Sequence, residues 1–168
     1  MGKNNPPYPP PYQGGIYWYM SNILIINAGS TSLKYKLFNE KEEEIKAGEL
    51  KGFEPSEENI EKSVKNVLRE AGDLPLLSVV GHRVVHGGDK FFRPTLVNDK
   101  ILAEMEGLNH LAPLHNPYNL AGIRAMRSFL PEVPQIAVFD TAFYVDLPEV
   151  AKTYALPRDV TEKYKIRR

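Results

Sequence analysis

Residues Ile23 to Phe38 constrain the fold of this chain more than any other stretch. An apolar run, Ile23-Leu24-Ile25-Ile26, ends at Asn27. A turn of small residues follows, Ala28-Gly29-Ser30-Thr31-Ser32, and then Leu33-Lys34-Tyr35-Lys36-Leu37-Phe38 sets two lysines between apolar side chains. An apolar run that breaks into a short polar turn and resumes as an alternating segment predicts two strands joined by that turn. The small turn residues admit close approach to the backbone. The turn N–H groups, the hydroxyls of Ser30 and Ser32 and the Lys34 ammonium are donors suited to a multiply charged oxyanion. Asn27 offers a neutral oxygen of the kind that hard metal ions or their waters accept. An ordinary hairpin, with Asn and Gly chosen for turn chemistry, fits the same residues.

With 168 residues the chain is about one domain, short for an enzyme that closes two lobes over a nucleotide. Lys plus Arg equals Asp plus Glu at 21 each, so no global field draws it to nucleic acid or to an anionic membrane, and any anion site is local. The absence of cysteine excludes disulfides, thiolate metal sites and cysteine nucleophiles, and suits a cytoplasmic protein. No apolar run approaches the roughly 20 residues that span a bilayer.

The start of the chain differs in kind. Pro6, Pro7, Pro9, Pro10 and Pro11 alternate with tyrosines, and Lys3 is the only charged side chain before Gly15. Residues 1–22 are expected to be a disordered or polyproline-like extension. Ile16 to Met20 is too short and aromatic for a secretory signal. Met20, just before the first strand, suggests a natural start of translation there. A proline-rich ligand for an aromatic groove is the other reading.

Glu42 to Leu50 reads as a third strand, which makes the opening of the sheet antiparallel. Ser56-Glu57-Glu58-Asn59 opens a helix with Ile60, Val64, Val67 and Leu68 at helical spacing, closed by Ala71-Gly72. Leu76 to Val80 reads as a buried strand running into Gly81-His82-Arg83-Val84-Val85-His86-Gly87-Gly88. Lys100 to Leu111 and Asn116 to Phe129 read as helices, and Gln135 to Phe139 as a further buried strand ending at Asp140-Thr141. This order predicts an α/β fold, a mixed sheet covered by helices. Ligands of such sheets sit beyond the carboxyl ends of the strands, where Asn27, Arg83 and Asp140 would fall.

Arg83 follows an apolar strand, and its planar fork suits a carboxylate or phosphate; an internal ion pair with an acidic side chain is the structural alternative. Asp140 either caps the turn at Thr141 or orients magnesium and its waters. His82, His86, His110 and His115 have no spacing that makes a metal cluster. The Gly-Gly after His86 argues against a zinc helix. His115 reads as a residue that orients a loop or substrate.

Taken together, Ile26-Asn27-Ala28-Gly29-Ser30-Thr31-Ser32-Leu33-Lys34-Tyr35, Gly81 to Gly88, His110-Leu111-Ala112-Pro113-Leu114-His115-Asn116-Pro117 and Val138-Phe139-Asp140-Thr141-Ala142-Phe143 resemble the N-terminal part of the acetate kinase family, within the actin-like superfamily of acetate and sugar kinases. The resemblance implies a ribonuclease H-like mixed sheet as one lobe of an actin-like ATPase fold. It places the N-terminal lobe at 23–147 and the start of a second, truncated lobe at 148–168. It implies reversible phosphoryl transfer from ATP to acetate, giving acetyl phosphate and ADP, with Mg2+ or Mn2+. Carried over, Asn27 is a metal-site residue, Lys34, Ser30 and Ser32 contact ATP, Arg83 binds substrate, and Asp140 is the catalytic acid/base. Acetate resembles a Glu side chain, with a pKa of about 4.3, so it is already deprotonated at neutral pH. The work left to Asp140 is then positional.

Tyr144 stands where many relatives have histidine. Ile166-Arg167-Arg168 falls where relatives continue into further charge-neutralising residues, so the expectation is a fragment with little kinase activity of its own. Turnover within tenfold of a full-length relative would defeat it. Family members form homodimers, largely through the part that follows, so a dimer of this chain is not expected; an exposed lobe face would instead favour self-association. Propionate or another short acyl acceptor, and a non-catalytic phosphate-binding module, are the competing functions.

Overall fold

The structure, a computed structural model, describes residues 22–54, 56–72 and 77–164. The Pro/Tyr-rich segment lies outside them, as does Leu76. Six strands form one mixed sheet: β1 (Asn22–Ala28), β2 (Ser32–Phe38), β3 (Glu44–Lys51), β4 (Leu77–Val84), β5 (Thr95–Leu96) and β6 (Gln135–Phe139). Their order is β3-β2-β1-β4-β6-β5, with β1, β4 and β6 mutually parallel and the other neighbours antiparallel. The antiparallel opening of the sheet by three successive strands is as expected, with β3 starting at Glu44 rather than Glu42, whose backbone has a φ of 62°.

Local chemistry sets the helix ends. In α1 (Glu57–Ala71), Ser56 Oγ accepts from the Asn59 N–H at 3.1 Å, Glu57 and Glu58 face the positive end of the helix dipole, and Gly72 closes the helix with φ of 82°. Asn98 caps α2 (Asp99–Glu106) in the same way, accepting from Ile101 N–H at 2.9 Å. The helix expected to reach Leu111 stops at Glu106. Gly107 follows as its C-cap, and a separate 3-10 turn over Asn109–Leu111 lets Leu108 remain buried. Helix α3 (Asn116–Phe129) has Pro117 in its first turn. The 3-10 turn at Asp140–Tyr144 and the short α4 (Glu149–Lys152) and α5 (Arg158–Tyr164) complete the described residues. None of the described helices is long and apolar enough to cross a membrane.

Strand β4 runs four residues beyond the apolar run that signalled it. Gly81 through Val84 are held between neighbours: Gly81 and His82 pair with Ile25 and Ile26 on one side, and all four pair with Ile136–Phe139 on the other. Ladder bonding on both edges overrides the poor strand propensity of glycine. Arg83 therefore lies inside the strand, next to its last residue, rather than after it.

Helices α1, α2 and α3 pack on one face of the sheet. Leu24, Ile26, Leu33, Val80, Ile60 and Val64 form part of the core under α1 and α3, and Val84, Ala137, Phe139, Met105 and Ile123 part of the core under α2 and α3. The expectation of a sheet covered by helices thus holds for one face. The alternate residues of the strands, among them Ile25, Val138 and Leu96, lie on the other face and are exposed among the described residues. Asn27 and Arg83 belong to that open face.

Gly122 permits the close seating of α3. A β-carbon there would stand 2.7 Å from Ala28 Cβ, and both atoms are fixed to regular backbone. Gly122→Ala is expected to cost about 1–3 kcal/mol as an overpacking change, read by urea denaturation. Ala28→Gly in the same chain should recover part of that loss; no recovery would place the strain elsewhere.

Candidate active site

The carboxyl ends of the three parallel strands bring one side chain each to the open face. Beyond the last registered pair of β1 and β4, Ile26 with His82, come Asn27 and Arg83; beyond β6 comes Asp140. Arg83 makes a forked contact with Asp140: Nε donates to Oδ1 at 2.9 Å and to Oδ2 at 3.1 Å, and Nη2 donates to Oδ2 at 2.6 Å. Its third nitrogen, Nη1, donates to Asn27 Oδ1 at 3.4 Å. The carboxylate hydrogen-bonded to it holds the Arg83 guanidinium above its already high ordinary pKa. Side-chain exposure of 49% for Arg83 and 37% for Asp140 leaves this pair open to solvent and to ligands.

The internal ion pair weighed for Arg83 is therefore present, and its acidic member is the other candidate site residue. Such a half-exposed pair contributes about 0–1 kcal/mol to stability, too little to explain its geometry as a support of the fold. A planar fork already matched to a carboxylate is also matched to the acids and phosphates that would exchange with it.

Lys34 is the cross-strand neighbour of Asn27, so it shares the open face. Its ammonium, however, lies 3.4 Å from Glu49 on β3 and not on the Arg83 cluster. Glu49 also meets Lys51 at 2.9 Å, and the hydrogen bond from Lys51, ahead of the charge of Lys34, draws its carboxyl below the usual range. Ser30 lies in the turn and Ser32 opens β2. Within that turn the Gly29 N–H donates to the Ser32 carbonyl at 2.8 Å, so this N–H is engaged internally and is not one of the anion donors expected there.

Beneath the cluster lies a layer of buried polar side chains that were not among the expected site residues. Asn119 accepts from the Val85 N–H at 3.1 Å and donates to the Ala28 carbonyl at 2.5 Å. Asn116 accepts from the His86 N–H at 3.1 Å and donates to the His86 carbonyl at 3.0 Å. Thr141 Oγ1 accepts from the Gly87 N–H at 3.0 Å, tying the residue after Asp140 to the loop after β4. Asn116 and Asn119 share a face of α3 with Ile123 and Met126. Two amides interrupting an apolar stripe at helical spacing were the signal available.

The histidines have separate roles. His82 is fully buried, with Nε2 at 2.7 Å from Gln135 Oε1. Gln135 Nε2 donates to the Val133 carbonyl at 2.9 Å, which turns its oxygen toward His82 and makes Nε2 the protonated nitrogen of a neutral ring. Burial lowers the His82 pKa to about 4, against a smaller opposing effect of the Gln135 hydrogen bond. His86 Nδ1 accepts from the Gly88 N–H at 3.0 Å, and His110 contacts the Gly107 carbonyl at 2.9 Å. His115 is exposed at the start of α3. Among the described residues no three His, Asp or Glu side chains are grouped so as to hold a metal ion. Phe143 and Tyr144, edge to face at 5.4 Å, stand exposed a few residues after Asp140.

Known proteins share this arrangement of elements. The chain is 42% identical over 175 residues to the acetate kinase of Helicobacter acinonychis, covering 87% of the chain and 44% of that relative. It is 43% identical over 174 residues to the acetate kinase of Bacillus cytotoxicus, covering 89% and 44%. The chain thus spans less than half the length of these curated relatives. Among solved structures, the acetate kinase of Porphyromonas gingivalis superposes with a TM-score of 0.74 at 32% identity, and a propionate kinase of Francisella tularensis with 0.71 at 36%; each match covers 88% of this chain and 44% of the other. Since the model of the acetokinase family also matches residues 56–168, the chain belongs to that family.

Proposed function

We propose that this chain carries the strand-tip half of an ATP-dependent acyl kinase site, which transfers the terminal phosphoryl group of ATP to acetate in a reversible reaction. The observation that carries the reading is the meeting of Asn27, Arg83 and Asp140, from three separate strands, in one hydrogen-bonded group on an open face. In the transfer an acetate oxygen bonds to the terminal phosphorus while the bond from that phosphorus to the bridging oxygen breaks, leaving ADP. Arg83 exchanges the Asp140 carboxylate for the acetate carboxylate or the passing phosphoryl oxygens, and its fork fixes their plane. No base is required because the nucleophile is already an anion. Asp140 and Asn27 then hold the alignment.

The donor set fits magnesium. One carboxylate and one amide oxygen converge on the same guanidinium, and Mg2+ takes few protein ligands beside waters and substrate phosphates. When bound with the nucleotide, such an ion neutralises phosphate charge. Lys34, Ser30 and Ser32 are assigned to the ATP phosphates, Lys34 after release from Glu49. Residues 23–147 form the lobe that carries these groups, and 148–168 begin a second lobe.

Titration calorimetry of the purified chain with ATP tests this assignment. Binding that requires magnesium and weakens by about tenfold in Lys34→Ala, the loss of one charge-assisted contact, is the expected result. Binding indifferent to magnesium and to Lys34 would overturn it. Propionate is the second acceptor, because a propionate kinase is as similar to this chain as an acetate kinase is. One methylene changes pocket binding by about 1–3 kcal/mol, so acetyl and propionyl phosphate titrated side by side separate the two.

A further inference from the structure

We propose that Asn119 is a positioning residue for Arg83, setting from α3 the distance at which the tips of β1 and β4 present Asn27 and Arg83 to each other. The ladder between these strands ends at Ile26 and His82. Asn119 continues the linkage past that pair, with its oxygen on the Val85 N–H at 3.1 Å and its nitrogen on the Ala28 carbonyl at 2.5 Å. Those groups directly follow Asn27 on one strand and lie two residues beyond Arg83 on the other. The amide is buried, at 4% exposure, so water does not readily replace either bond.

An amide is required for this bridge. It presents a donor and an acceptor on one rigid plane, whereas an ionised carboxylate only accepts and an aliphatic side chain does neither. Gly122, one turn further along α3, completes the arrangement by letting the helix approach Ala28 closely. If the bridge is lost, β1 and β4 are free to part beyond their last ladder pair. Arg83 Nη1 then moves out of reach of Asn27 Oδ1, a contact already at 3.4 Å. The guanidinium keeps its charge and loses its fixed orientation.

The proposal deepens the acyl kinase reading and rests on it only for the meaning of Arg83, so its test uses no ligand. Solvent exchange of the Arg83 Nε–H is measured by nuclear magnetic resonance on the whole described chain with its flanking residues, in the native protein and in Asn119→Ala. The backbone N–H of Val64 in α1 serves as a monitor of global opening. The expected result is exchange at Arg83 at least tenfold faster in Asn119→Ala, beyond any acceleration at Val64; equal acceleration at the two sites is global opening and overturns the proposal. Exchange at Arg83 within twofold of the native rate, whether or not Val64 exchanges faster, would reduce Asn119 to a residue of the fold and overturn the proposal. Gly122→Ala, which keeps the amide but lifts its helix from β1, decides the matter if Asn119→Ala does not fold: exchange at Arg83 accelerated at least threefold more than at Val64 supports the role, and acceleration no greater than at Val64 overturns it. Acetyl phosphate titrated into the same variants then bears on the kinase reading alone.

Discussion

Arg83→Ala is expected to weaken binding of acetyl phosphate by about 10- to 100-fold while changing the unfolding free energy by no more than about 1 kcal/mol. The two magnitudes come from different physics. A hydrogen bond between charged groups contributes about 1.5–3 kcal/mol to a bound anion, and each 1.4 kcal/mol is about tenfold in affinity. The same guanidinium paired with Asp140 at half exposure contributes little to folding, because water screens both partners and solvates them when they separate. Arg83→Lys should fall between the native protein and the alanine variant, keeping the charge and losing the fork. Calorimetric titration and urea denaturation of the same samples provide the comparison. A stability loss above about 2 kcal/mol with unchanged affinity would make the pair a support of the fold, and Arg83 would leave the site.

The second large effect is acid sensitivity seated in His82. Its pKa is about 4 in the fold and about 6.5 in the unfolded chain, so between those values the unfolded chain binds a proton that the folded one refuses. Stability from this group is present in full above about pH 6.5, declines as pH falls, and reaches its floor near pH 4. The span of about 2.5 pH units corresponds to about 3 kcal/mol at 1.36 kcal/mol per unit. Unfolding free energies from pH 7.5 down to about 4 in the native chain and in His82→Gln isolate the effect, since surface carboxylates titrate in both and cancel. The glutamine amide can still donate to Gln135 and has no titration of its own. Parallel profiles for the two proteins would show that the ring is not the sensor.

Much of the fold was legible in local residue pattern. Ser56 and Gly72 bracket α1, Gln135–Phe139 is β6 residue for residue, and the first two strands lie where the apolar run and the alternation after it put them, while the third starts two residues later than expected, at Glu44. These are decisions of capping and hydrophobic period, which act over a few residues. Two-residue β5 has no such signature. It exists because the Val97 N–H reaches the Gln135 carbonyl and Thr95 and Leu96 meet the free edge of β6. The length of β4 escaped for the same reason: partners distant in the chain hold Gly81 to Val84 extended.

At the site, the residue types were readable and their relations only in part. Three strand ends pointed to Asn27, Arg83 and Asp140, and the structure joins them. Lys34 was read as an anion donor, yet in the protein it faces Glu49, because β3 lies beside β2 and supplies a nearer carboxylate. Asn116 and Asn119 sit within α3 on the same stripe as Ile123 and Met126, so in the sequence they read as part of a helix face. The amides fit that stripe because strand tips, where ladder bonding runs out, offer backbone groups for them.

By itself the sequence determined the type and order of the longer strands and helices, those ends that a cap or turn marks, such as Ser56 and Gly72, and which polar groups arrive at strand termini, because caps, turns and apolar period are short-range properties. Only the tertiary structure decided that Arg83 rests on Asp140, that His82 is sealed neutral against Gln135, and that Asn119 binds two strands together. Each of those pairings joins residues 34 or more positions apart on at least one side. Their partners are chosen by the order of strands in the sheet and by the close seating of α3 on β1, which no local window contains.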